Sequence, residues 1–270
     1  MVGNPNPDPQ ADVLPKPETV RGQFDLEGSV ALVTGAGSGL GRAIAWGLAC
    51  HGADLVIADL DAAAAYRAAE QVRSLGRRAL ALGVDVTDEA QVEAMAARAS
   101  GEYGHIDISV NNAGNNCRKP ILEMSADEFD RVVDVHLRGT FLCARAVGRG
   151  MVARRKGKMI NLASIMGHVG GPTIGPYAAA KGGILQLTKV LALEWAPHNV
   201  QVNALSPAHF DTPLTRQLAP AMRAAVIESN PQRRFAFPAE IIGAAVLLAS
   251  PASSFITGTS ILVDGGWTAR

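Results

Sequence analysis

The chain has 270 residues, 48% hydrophobic and 19% charged, and its 25 basic and 25 acidic side chains cancel. That apolar supply fills a large core and excludes a mostly disordered chain. Zero net charge leaves no basic excess for phosphates, which argues against a dedicated nucleic-acid binder.

Residues 1–22 read as an N-terminal arm, where Pro5, Pro7, Pro9, Pro15 and Pro17 alternate with polar residues. Prolines that dense work against helix and central-strand pairing. No charged start leads into an apolar block with a cleavage site, so a secretory signal is not expected. The longest apolar stretch, 241–249, is far too short for a membrane span. Cys50, Cys117 and Cys143 are an odd number without metal spacing, which suits a reducing compartment. A cytoplasmic protein with no metal site is therefore expected.

Residues 23–270 alternate short aliphatic runs with helical patterns. Strands are predicted at 29–34, 54–59, 79–84, 107–111, 157–163, 200–206 and 260–263. Helices are predicted at 39–51, 62–75, 88–102, 125–152, 177–195 and 239–249. Such alternation implies an α/β fold, a parallel sheet covered on both faces. Right-handed crossovers make it doubly wound, and no boundary interrupts it, so a single Rossmann-type domain is predicted.

The first strand runs into Gly35-Ala-Gly37-Ser38-Gly39-Leu40-Gly41 and then a helix. Leu40 stands where a strict G-x-G-x-x-G needs its third glycine, whereas T-G-x-x-x-G-x-G fits Thr34, Gly35, Gly39 and Gly41. Missing Cβ atoms let backbone N–H groups approach a pyrophosphate at the positive end of the helix. Asp59 closes the second strand, where a carboxylate can accept the ribose hydroxyls of adenosine and repel a 2′-phosphate. That favours NAD over NADP. Asp85 could reach the adenine edge with Val86 against the ring, although Asp-x-Thr-Asp also reads as a helix cap.

Tyr177 and Lys181 stand one helical turn apart on one face, with Pro176 at the helix start. An adjacent ammonium and a helix N-terminus should lower the phenol from its usual pKa near ~10. So tuned, it can exchange a proton with an alkoxide or alcohol at neutral pH. Ser164, thirteen residues upstream at a strand end, could bond the substrate oxygen. No nucleophile elbow with His and Asp accompanies it, so a hydrolase triad is disfavoured.

Thr34–Gly41, Asn111-Asn-Ala-Gly114, Ser164, Tyr177-x-x-x-Lys181, Asn203-Ala-Leu-Ser-Pro207 and Val263-Asp-Gly-Gly266 together resemble the short-chain dehydrogenase/reductase family. The resemblance covers about residues 25–267. It implies a seven-stranded Rossmann-type sheet, a nicotinamide cofactor, alcohol/carbonyl chemistry and a homodimer or homotetramer. It makes Tyr177 the acid/base, Lys181 its modulator and ribose ligand, and Ser164 the polariser of the substrate oxygen. The cofactor would then meet Gly35, Ser38, Gly39, Leu40, Gly41, Asp59, Leu60, Asp85, Val86, Asn112, Ala113 and Gly114. Pro207, Ala208, Phe210 and Thr212 would surround the nicotinamide.

Two positions depart from the family pattern. His136 replaces the usual Asn of a proton relay, and either relays protons or is an internally bonded His. Ala208 replaces a common Gly, and its methyl group would narrow the nicotinamide pocket. Arg118-Lys-Pro and the segment from Glu123 resemble members acting on sugar acids or polyols, notably gluconate 5-dehydrogenases. Arg118 would clamp a substrate carboxylate, with His168 and His209 on the rim. The alternatives are an NADPH-dependent 3-oxoacyl thioester reductase and an NAD-binding protein without turnover. The helices at 125–152 and 177–195 are apolar nearly all round, which suggests helix-on-helix subunit packing.

Overall fold

The computed structural model describes residues 14–269. The part of the arm before residue 14 lies outside them. The rest corrects the expectation that prolines bar a helix there: Pro17–Arg21 forms α1. Pro17 occupies the first turn, where its missing N–H costs no intrahelical bond.

Seven strands follow in the predicted places: β1 Val30–Thr34, β2 Asp54–Asp59, β3 Ala79–Gly83, β4 Ile108–Asn111, β5 Gly157–Leu162, β6 Val200–Pro207 and β7 Ser260–Val263. They form one parallel sheet in the order β3-β2-β1-β4-β5-β6-β7. The helices are α2 Gly39–Cys50, α3 Ala62–Arg73, α4 Glu89–Tyr103, α5 Ala126–Val133, α6 Gly139–Arg154, α7 Gly175–Trp195, α8 Pro213–Arg216, α9 Pro220–Ser229 and α10 Ile242–Ala249. Alternate strand residues feed opposite cores. Ala31, Val33, Leu55 and Ile57 pack with Ile44 and Leu48 of α2 and Val246 of α10. Val30, Leu32 and Val56 pack with Met95 of α4 and Leu142 and Met151 of α6. Among the described residues no helix is long and apolar enough to cross a membrane.

The single helix expected over 125–152 is three segments. A capping box at Ser125 and Glu128 starts α5, and a π-helical stretch, Asp134–Arg138, joins it to α6. His136 lies in that stretch, and π-turns of this kind often mark functional sites. The winding reverses between β1 and β4, both of which pair with each other while β2 flanks β1. Open α/β sheets bind ligands outside the carboxyl ends of the strands at such a switch point.

Candidate active site

A crevice of about 400 Å³ opens at that point. Its walls carry Gly35, Ser38, Gly39, Leu40, Asp59, Leu60, Asp85, Val86, Asn112, Ala113, Gly114, His136, Tyr177, Lys181, Pro207 and Thr212. Sequence reasoning missed Val84, Asn115, Val135, Leu162, Ala163, Pro213 and Leu214, which complete it. Apolar strand-end and loop residues of this kind carry no motif of their own.

The glycine turn is held from the neighbouring strand. Thr34 Oγ1 accepts the N–H groups of Asn112 (3.0 Å) and Ala113 (3.2 Å). The Asn112 amide donates back to the carbonyls of Thr34 (2.9 Å) and Gly35 (3.0 Å). Gly35 sits at φ +61°, and a Cβ on Gly41 would overlap the Gly35 carbonyl oxygen. Gly41 therefore serves packing beneath the turn and does not line the crevice, which corrects its expected contact role. At the tip of β2, Asp59 accepts the Gly37 N–H at 2.8 Å and the Asp61 N–H at 3.0 Å. These bonds fix a carboxylate on the crevice wall. The Asp85 carboxylate accepts Thr87 N (2.9 Å) and Oγ1 (2.7 Å), so its side chain closes a local turn while its residue lines the wall.

At the other end, α7 begins with Gly175 and Pro176, which places Tyr177 in its first turn and Lys181 one turn on. Lys181 is 4% exposed, and its Nζ donates to the Leu162 carbonyl and lies 5.5 Å from the Tyr177 ring centroid. Burial lowers this ammonium to about 7. Ser164, beyond the end of β5, is buried and hydrogen-bonded to Tyr177, and its Oγ also accepts Met166 N at 3.1 Å. The phenol departs from the sequence expectation. Burial pushes its pKa up, and the opposing influences are the Ser164 hydrogen bond and the charge of Arg118. The Lys181 ammonium, expected to lower it, is itself stripped of water and tied to a carbonyl.

A buried polar chain anchors this end. Asn111 Nδ2 donates to Asn161 Oδ1 (2.8 Å), and Asn161 Nδ2 donates to Thr188 Oγ1 (3.0 Å), joining β4, β5 and α7. Each of these amides is satisfied by its neighbour, so the chain costs little to bury and fixes register. His136 is also buried, with its ring edge-on to Tyr177 at 5.2 Å.

The expected substrate and nicotinamide contacts divide. Arg118 is exposed, makes no hydrogen bond or ion pair among the described residues, and its charge bears on both Tyr177 and His209. His209 lies edge-on to Phe235 and lines a second cavity of about 160 Å³ together with Ala208. Ala208 therefore does not narrow the main crevice, a correction. Phe210 is also corrected: it is 2% exposed and belongs to the core, where its carbonyl accepts Thr215 Oγ1 at 2.6 Å. His168 turns to the sheet edge instead of the crevice, with Nε2 at 3.1 Å from Ser206 Oγ and 3.4 Å from Ser260 Oγ. Its expected rim role is corrected accordingly.

The residues fit a dinucleotide. Gly35 and Gly39 line the crevice without side chains, Asp59 presents acceptors at the ribose end, and Tyr177 and Lys181 face the far end of one crevice. A Rossmann-type sheet with a Ser–Tyr–Lys group at its carboxyl edge defines a nicotinamide-dependent oxidoreductase. A family model described as enoyl-(acyl carrier protein) reductase matches residues 35–268, and the chain belongs to the short-chain dehydrogenase/reductase family. It is 40% identical over 250 residues to 2-dehydro-3-deoxy-D-gluconate 5-dehydrogenase of Escherichia coli, covering 92% of this chain and 98% of that one. It is 41% identical over 241 residues to cis-4-hydroxycyclohexanecarboxylate dehydrogenase of Sinomonas cyclohexanicum, covering 89% and 96%. The crystal structure of a gluconate 5-dehydrogenase from Burkholderia cenocepacia, in complex with NADP and tartrate, superposes with a TM-score of 0.88 at 40% identity, covering 92% and 98%.

Proposed function

We propose that this enzyme interconverts a secondary alcohol and a ketone on a small sugar acid, with NAD(H) as its preferred cofactor. The observation that carries the reading is the Tyr177–Lys181 pair at one end of the crevice, with Ser164 buried beside Tyr177, and the Asp59 carboxylate at the other. A bound nicotinamide dinucleotide supplies the hydride exchange. Ser164 donates to the substrate oxygen and steadies the charge that grows there. Tyr177 takes the hydroxyl proton in oxidation and returns it in reduction. Lys181 holds positive charge beside them below pH of about 7.

Arg118 supports the carboxylate: it is an exposed guanidinium, unengaged among the described residues, whose field reaches Tyr177. The two curated relatives above are named for substrates that carry a carboxylate and a hydroxyl, or its ketone. Asp59 supports NAD, because a fixed carboxylate opposes a 2′-phosphate, although the Burkholderia relative was crystallised with NADP. A panel of sugar acids, neutral polyols and a 3-oxoacyl thioester, followed at the nicotinamide absorbance with NAD and NADP, tests the reading. We expect sugar acids with NAD to give the highest kcat/KM; preference for the thioester with NADPH would overturn it. Arg118→Ala should raise KM for a sugar acid about tenfold or more, as loss of a charge-assisted bond requires, with neutral polyols unaffected. An unchanged KM would reject the clamp.

The assembly we infer is a homodimer or homotetramer. On α7, Ile184 and Leu191 are buried, whereas Leu193 is 79% and Val190 49% exposed, an apolar surface the subunit does not cover. Light scattering giving a monomeric mass would contradict this.

A further inference from the structure

The loop between β4 and α5 carries Arg118, and it is fastened on both sides of that residue. On one side, the Asn115 carbonyl oxygen lies 2.8 Å from His136 Nε2, and Asn115 Nδ2 donates to the Arg131 carbonyl at 3.2 Å. On the other, Lys119 N donates to the Thr173 carbonyl at 2.9 Å. The Lys119 ammonium also grips Glu128 of α5, with Nζ 3.0 and 3.2 Å from the two carboxylate oxygens. No such bond fixes Arg118 itself among the described residues, so its neighbours set its place.

The tie to Thr173 is built with strain. Thr173 holds φ at +65°, a left-handed conformation that a β-branched residue rarely adopts and that persists only where its surroundings impose it. It stands four residues before Tyr177, on the segment that enters α7. Close by, a Cβ on Gly175 in the first turn of α7 would meet Ile121 Cδ1. The Arg118 loop therefore docks on the entry to the Tyr177 helix at two points. Lys119 also precedes Pro120, whose ring disfavours helical backbone before it and favours an extended chain. Successive side chains of an extended chain point to opposite sides. Lys119 reaches out to α5, and Arg118 faces the other way, where its charge bears on Tyr177 and His209.

We propose that Lys119 is a positioning residue: by gripping Glu128 on α5 and Thr173 before α7, it holds Arg118 where a substrate carboxylate meets the guanidinium while the substrate hydroxyl meets Tyr177. The proposal rests on the reading of Arg118 as the carboxylate clamp. The Lys119 ammonium does not touch substrate. It limits the freedom of the loop that bears a long, flexible side chain, and ordering such a side chain otherwise counts against binding. Its loss therefore shows in KM and leaves kcat alone. An ion pair that served only to stabilise the fold would lower Tm and leave KM alone.

The test uses the full-length enzyme saturated with cofactor and the best sugar acid of the panel above. Lys119→Met keeps the backbone N–H and the apolar stem and removes the charge. It should raise KM about three- to fivefold, the upper worth of a partly exposed ion pair, with kcat unchanged, and Lys119→Arg should restore most of the loss. In the Arg118→Ala background the same substitution should leave KM where Arg118→Ala put it, because residues that act through one another are not additive. Glu128→Gln, whose amide oxygen still accepts the Ser125 N–H, should move KM the same way by a smaller factor, and it decides the matter if Lys119→Met does not fold. Wild-type KM in these variants, or an equal rise with and without Arg118, overturns the proposal. An unchanged KM in Arg118→Ala alone instead removes the parent reading, and the role of Lys119 falls with it.

Discussion

The two ends of the crevice are built from different materials. The nucleotide end is backbone: a glycine turn cross-tied by Thr34 and Asn112, with one carboxylate pinned by two N–H groups. The reacting end is side chains, with Ser164, Lys181 and His136 each nearly inaccessible to water. The backbone end tolerates partial exposure because its peptide dipoles need no ionisation. The side-chain end works through groups whose charge states burial displaces, the phenol upward and the ammonium and imidazole downward. One end selects by shape and one fixed carboxylate, the other by the balance between desolvation and a few hydrogen bonds.

If that division is right, substitutions at the two ends should fail differently. Tyr177→Phe removes only the proton-carrying oxygen, so kcat should fall by about 10²–10⁴, the usual worth of general acid–base catalysis, with cofactor affinity retained. Stopped-flow turnover and fluorescence titration of the cofactor separate the two quantities; full activity would refute the assignment. Gly41→Ala should do the reverse. Its methyl meets the Gly35 carbonyl, so the turn must shift, at about 1–3 kcal/mol of stability from overpacking. Cofactor Kd should rise about tenfold or more for the same cost of about 1.4 kcal/mol, while kcat at saturation changes little. Equal loss of kcat and affinity in both variants would erase the distinction.

The same division explains what the sequence displayed. Backbone sites announce themselves through glycine spacing, and Thr34, Gly35, Gly39 and Gly41 located the turn. Tyr177 and Lys181 were legible because helical period alone puts them on one face. The direction of the phenol shift was not legible, since spacing carries no information about depth, and depth dominates there. The Asn111–Asn161–Thr188 chain joins residues 50 and 27 positions apart, and no local pattern signals it. Helices α8 and α9 were missed because neither buries a residue, so no apolar face marks them. Leu214 of α8 nevertheless lines the crevice. Ala208, Phe210 and His168 were misplaced for a related reason: neighbours in a loop after a strand end point to different sides, and sequence order does not say which.

His168 gives the smallest expected effect and sharpens the comparison further, because it belongs to neither end. It is exposed, and its Nε2 reaches Ser206 and Ser260, whose hydroxyls are 2.7 Å apart and bond each other. The contact ties the turn after Ser164 to β6 just before Pro207, whose carbonyl lies 3.5 Å from Ser164 Oγ. Removing the imidazole strands neither serine, so His168→Ala should cost at most about 1 kcal/mol. For a chain of this size that lowers Tm by about 2–4 °C, readable by calorimetry. A substrate-contacting histidine predicts instead a raised KM with unchanged Tm. The first outcome leaves His168 a brace on the outside of the reacting end; the second would move the substrate pocket across the loop toward the β7 edge and weaken the place given to Arg118.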